Sequence, residues 1–116
     1  MMRRLTMIVG LVLLLAAPAQ ASAEPRYDVP RGFTRCPDAH AWNGFFKWAS
    51  QRHSSCARTA GFMRAYAKRA GGPQMPRHVD GFTCRIHFYE NEDGDTYASR
   101  HTCTRRDVTI RFYGMV

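Results

Sequence analysis

The four cysteines, Cys36, Cys56, Cys84 and Cys103, and the five histidines are the obvious metal-ligating side chains of this 116-residue chain. Structural zinc sites bring ligands in close pairs such as C-x₂₋₄-C. Here the cysteines stand 20, 28 and 19 residues apart, so no two of them form such a pair, and His53-Ser54-Ser55-Cys56 offers a close histidine–cysteine spacing only. No zinc site and no cofactor is therefore expected. Calcium fares little better. With Gly94 as the glycine of a calcium loop, Asn91 and Asp93 take ligand positions, but Tyr89 and Arg100 fall where carboxylates are needed. The acidic segment Glu90 to Asp95 reads as a solvated turn, with weak cation binding as its alternative.

General acid–base catalysis of the secreted-ribonuclease kind needs His and Glu beside Arg on one surface. His87, Arg85 and Glu90 are neighbours in the chain. In the hairpin register derived below, however, His87 and His101 point to opposite faces, which breaks the obvious two-histidine pair. No nucleophile elbow and no phosphate-binding loop is present, so no catalytic residue is assigned. A recognition surface has more support. In an extended strand, Phe82, Cys84, Ile86 and Phe88 share one face, and Thr83, Arg85, His87 and Tyr89 the other. Arg100 and Thr102 join the second face from the next strand, and Arg111 and Tyr113 from the last. Arginine interleaved with tyrosine suits pairing with phosphate or carboxylate and stacking on rings. Arg85, His87, Tyr89, Arg100, Arg111 and Tyr113 are thus the anion-binding candidates, against the plainer reading of a solvated sheet face.

What must hold these residues is a small exported domain. Residues 1–23 have the form of a secretory signal peptide: Arg3 and Arg4, an apolar run of 11 residues from Met7 to Ala17, and A-x-A sites ending at Ala23. That run is too short for a transmembrane helix, which needs about 20 residues. Cleavage after Ala23 leaves 93 residues, 15 basic against 9 acidic, with 13 of the cations arginine. No transmembrane segment is expected in the mature form, and the destination is extracellular. A domain of this size buries only about 60–65 % of its unfolded surface. An even cysteine count behind a signal peptide accordingly reads as two disulfides.

Residues 24–42, with Pro25, Pro30 and Gly32, are expected to form an extended or loose arm, and residues 43–116 the domain. Phe45 to Arg52 suits either a strand or a helix. The spacing predicts one amphipathic helix from Cys56 to about Arg69, capped by Ser54 or Ser55 and stopped at Gly71-Gly72-Pro73. Its apolar side carries Cys56, Ala60, Phe62, Met63, Tyr66, Ala67 and Ala70. Strands are expected at Phe82 to Tyr89, Tyr97 to Cys103 and Val108 to Tyr113. Asp93-Gly94 is a favoured two-residue hairpin turn. With the turn centred there, opposed residue numbers sum to 187, which sets Cys84 against Cys103. Cys36 and Cys56 are then left to each other. The competing arrangement joins Cys56 to Cys84 or Cys103. The same register turns Ser99 and His101 inward, where an apolar pair is expected.

From Ser54 onward, Ser55-Cys56-Ala57 with Ala60, Gly81-Phe82-x-Cys84, Cys103-Thr104-Arg105 and Val108-x-Ile110-x-Phe112 resemble small secreted actinobacterial proteins of unknown function. The resemblance implies a signal peptide, a strand, a helix and a cysteine-linked β-meander, with no activity attached. The expectation is an α+β fold, one helix on a three- or four-stranded antiparallel sheet with two disulfides. Its expected function is non-catalytic: binding an anionic extracellular partner, a cell-envelope polymer or nucleic acid. The alternatives are a small hydrolase using His87 and a protein-binding or inhibitor module using Phe45, Phe46 and Trp48.

Overall fold

The structure, a computed structural model, describes Gly10 and residues 27–38, 45–72 and 74–115. Apart from Gly10, the signal-peptide reading of residues 1–23 lies outside the described residues, as do 24–26 and 39–42 of the expected arm and 43–44 of the expected domain. Ser55 caps the helix α1 (Cys56–Ala70): its hydroxyl accepts from the Arg58 amide at 3.2 Å. Phe62, Met63, Tyr66, Ala67 and Ala70 are buried as the helical period requires, and Thr59 joins them. Its hydroxyl is satisfied within the helix, donating to the Ser55 carbonyl at 2.8 Å. Cys56 and Ala60, at the edge of the expected apolar side, are only half-buried.

The helix covers one face of a single sheet. Its strands are β1 (Thr34–Arg35), β2 (Phe46–Arg52), β3 (His78–Val79), β4 (Phe82–Glu90), β5 (Thr96–Arg105) and β6 (Val108–Met115). They run in the order β1-β2-β6-β5-β4-β3, every neighbouring pair antiparallel. Six strands replace the three or four expected. The two additions are edge strands of two residues each, too short to carry an alternating pattern. Hydrogen bonds beside them, Cys36 N–H to the Ala49 carbonyl and Cys84 N–H to the Arg77 carbonyl, anchor them to β2 and β4. Residues 27–38, expected as an arm, thus contribute a strand and a half-cystine to the domain.

The ambiguous aromatic segment is β2, and it is bulged. Lys47 stands opposite Tyr113 and Ser50 opposite Arg111, so β2 uses one more residue than β6 between those pairs. Trp48 absorbs the extra residue at φ +58°, and its amide donates to Asp38 Oδ1 at 2.8 Å.

The β4–β5 hairpin corrects the expected turn yet keeps the expected register. The Gly94 amide donates to the Asn91 carbonyl and the Asn91 amide to the Asp95 carbonyl. The loop is therefore Glu92-Asp93-Gly94, one residue longer than two, with Gly94 at φ +80°. This shifts Glu90 opposite Thr96, but a bulge at Tyr97 returns Tyr89 to Ala98 and everything below it to the 187 register. Cys84 faces Cys103 with Cα atoms 4.0 Å apart, and a disulfide joins them. The second disulfide joins Cys36 to Cys56, tying the end of β1 to the start of α1. Each spans about 20 residues, worth roughly 3 kcal/mol in the chain-entropy account.

Phe46, Ala49, Cys84, Cys103, Ile110 and Phe112 from the sheet meet the buried helix residues in one core. Ser99 and His101 do lie inward, 3 % and 0 % exposed. Tyr66 supplies what they need. Its Oη lies 2.7 Å from His101 Nδ1, and Ser99 Oγ lies 2.7 Å from Nε2. A neutral imidazole offers one donor and one acceptor, so one hydroxyl donates to the ring and the other accepts from it. Phe112 stacks on the imidazole at 4.6 Å, and Phe46 and Tyr66 meet it edge-on. Burial pushes the His101 pKa down to about 3.

Candidate anion-binding face

The face of the sheet away from α1 collects the polar half of each alternating strand. Cross-strand register arranges it in rows. One row runs Arg85, Thr102, Arg111, Ser50 and Arg35 over β4, β5, β6, β2 and β1. The next runs His87, Arg100, Tyr113 and Lys47. In the first row cations alternate with hydroxyls, so successive guanidinium-bearing strands lie two strand spacings, about 10 Å, apart.

No carboxylate occupies either row. Among the described residues Arg35 alone of these cations has an acidic partner, Asp38 at 3.7 Å. Two polar atoms in the middle of the first row are buried without a hydrogen-bond partner among the described residues, Arg111 Nε and Ser50 Oγ, and the residues that carry them are cross-strand neighbours. An unmet donor of that kind is costly, on the order of 1–3 kcal/mol, and is uncommon in folded proteins.

Aromatic rings border the cations. The Arg35 guanidinium sits 3.8 Å from the centroid of Trp48. Tyr27 stacks on Trp48 and meets Tyr113 edge-on, while His87 packs edge-on against Tyr89 at 4.7 Å. Tyr89 in turn lies beside Tyr97. Such a surface can pair anionic groups with guanidinium and lay flat rings or sugars on aromatic faces.

Of the sequence-derived candidates, the structure brings Arg85, His87, Tyr89, Arg100 and Arg111 onto this face. Tyr113 is on the same face but 0 % exposed, covered by Tyr27, and its hydroxyl donates to Asp28 Oδ1 at 2.7 Å. Burial, with that bond, pushes its pKa up to about 12. Its ring therefore supports Tyr27 and does not meet solvent. Arg35, Lys47 and Ser50 belong to the face and were missed. Their signal lay in the pairing of β1 with β2 and of β2 with β6, the latter joining distant parts of the chain and leaving no local trace.

The residues of the alternative readings are dispersed. His87 and Arg85 are exposed on the open sheet, and Glu90 stands at its end. Phe46 is buried in the core and Trp48 lies beneath Arg35 and Tyr27, so Phe45, Phe46 and Trp48 form no exposed apolar patch. All four cysteines are oxidised in pairs and offer no thiolate to a metal. Among the described residues no helix is long and apolar enough to cross a membrane. Comparison with family models, with curated proteins and with solved structures returned no match for this chain.

Proposed function

We propose that the protein is an exported, non-catalytic module that binds an anionic extracellular partner, a cell-envelope polymer or a nucleic acid, on the outer face of its sheet. The observation that carries this reading is the row Arg85-Thr102-Arg111-Ser50-Arg35, with Arg111 Nε and Ser50 Oγ buried and without a partner among the described residues. Two disulfides in so small a domain suit an oxidising compartment and support export. Kinship with the secreted actinobacterial proteins belongs to the same proposal and rests on the residues from Ser55 to Phe112 that resemble them.

The test is retention of the disulfide-bonded protein on immobilised heparin, single-stranded DNA and anionic cell-wall polymer across a salt series. Binding should be strongest at low salt, because neutralised anions release counterions. Arg85→Gln should weaken it and lower the salt slope on single-stranded DNA by about 0.7. Arg64→Gln, which removes the same charge from the exposed side of α1, should change retention little. No retention at low salt, or equal losses in the two variants, would overturn the reading.

A further inference from the structure

At the other face and end of the sheet, a cavity of about 590 Å³ opens between the first half of α1 and the β3–β4 and β5–β6 turns. Its volume is that of a small-molecule site, roughly 300–1,000 Å³. The floor is apolar, made by Phe62, Phe82, Val108 and Ile110. The mouth carries three guanidiniums, Arg58, Arg105 and Arg106. Arg105 Nη1 donates to the Asp80 carbonyl oxygen at 3.2 Å. Among the described residues none of the three has a carboxylate within 4.0 Å. Asp80 and Asp107 stand at the same mouth, so the excess positive charge suits one compact anionic group better than a long polyanion.

Two local features have no structural need behind them. His53, Asp80 and Arg106, all lining the cavity, have φ of +63°, +50° and +53°. His and Asp tolerate that region, but arginine seldom does. Arg106 is the first of the two turn residues between Arg105 and Val108, and the only one of them with positive φ, where hairpins of this length prefer glycine. An arginine kept in that conformation points to a use for its guanidinium. The second feature is Gly61, inside α1 and also lining the cavity. Among the described residues, and apart from the helix's own backbone, a Cβ there would meet only Arg64 Nη2, at 3.9 Å, so packing does not demand glycine, although glycine weakens a helix. Its effect is to leave room.

We propose that this cavity is a second binding site, for a small organic anion whose carboxylate or phosphate pairs with Arg58, Arg105 and Arg106 while an apolar or aromatic body fills the floor. Guanidinium forks match both headgroups in a bidentate way. This site does not depend on the outer face and would take a different ligand.

Amide chemical shifts of the ¹⁵N-labelled, disulfide-bonded protein, titrated with phenyl phosphate, test the assignment. Saturable shifts are expected at Arg58, Gly61, Arg105 and Arg106, with affinity about tenfold or more above that for inorganic phosphate or phenol. Benzoate in a parallel titration ranks carboxylate against phosphate, and tight binding of either supports the site. Gly61→Leu should fill the cavity and abolish binding while raising Tm. Arg106→Gly should weaken binding by about tenfold, again with higher Tm, and Arg85→Gln should leave it unchanged. Shifts confined to the outer face, no saturable shifts, or undiminished binding in both Gly61→Leu and Arg106→Gly would overturn the proposal. Polymer retention by Gly61→Leu should equal the parent's, so failure here is distinct from failure of the outer-face reading.

Discussion

Acidification should destabilise this protein through one buried imidazole. His101 is fully buried, and its pKa falls from 6.5 to about 3 because burial disfavours the charged ring. Below pH 6.5 the unfolded chain therefore binds a proton at this residue that the folded chain refuses. The unfolded state gains protons first, so stability is complete above about pH 6.5 and is lost progressively as pH falls toward 3. Each pH unit inside that window costs about 1.4 kcal/mol, which sums to roughly 3 kcal/mol at pH 4. For a domain whose whole stability is on the order of 5–15 kcal/mol, that loss is large.

The assay is urea unfolding with disulfides intact, from pH 7 to pH 4, for the parent and for His101→Phe. Removing the imidazole leaves the Tyr66 and Ser99 hydroxyls unpaired, at a cost of roughly 1–3 kcal/mol each that does not vary with pH in this range. Carboxylate contributions are common to both proteins and cancel in the difference. The stability gap between parent and variant should therefore shrink by about 3 kcal/mol on going from pH 7 to pH 4. The ring proton of His101 in the parent should meanwhile show the neutral form at pH 5. A constant gap, or a folded-state titration of His101 near pH 6.5, would refute the reasoning.

Gly114→Ala should destabilise the fold by about 1–3 kcal/mol, because the added Cβ would lie 2.6 Å from Ser99 Oγ and 2.8 Å from the Phe45 ring; thermal unfolding at pH 7 measures it. Tyr113, with its pKa pushed up to about 12, stays un-ionised while the unfolded phenol ionises near 10. Its contribution is thus full below pH 10 and lost as pH rises toward 12, and Tyr113→Phe should flatten the alkaline arm of the stability profile. Replacing Cys84 and Cys103 together by alanine should cost roughly 3 kcal/mol of loop-closure entropy, with a further loss from the core they fill; denaturant midpoints under oxidising conditions report the sum.

Much of the architecture was legible locally. The period of Phe62, Met63, Tyr66, Ala67 and Ala70 marks the helix, Ser55 caps it, and the alternation in Val108 to Tyr113 marks the last strand. The Cys84–Cys103 opposition was legible too, although for a reason that was only partly correct. The loop is one residue longer than Asp93-Gly94 alone implies, and the bulge at Tyr97 cancels the shift. The same register turned Ser99 and His101 inward, where strand alternation led us to expect an apolar pair. A polar pair is tolerated inside when a partner arrives from elsewhere, and Tyr66 comes from the helix, 35 residues away from His101 in the chain.

The candidate site divides along the same line. Strand alternation alone places Arg85, His87 and Tyr89 on one face, because successive side chains of a strand must point opposite ways. It cannot join Arg35 and Ser50 to Arg111, since that row exists only once β2 has paired with β6 across the chain. Nor can it cover Tyr113 with Tyr27, or open a cavity beneath Arg106. Periodicity, caps and turns are properties of neighbouring residues and are written in order along the sequence. Rows across strands, buried hydrogen-bond chains and cavities are properties of residues that meet only after the chain has folded, and tertiary structure alone decided them.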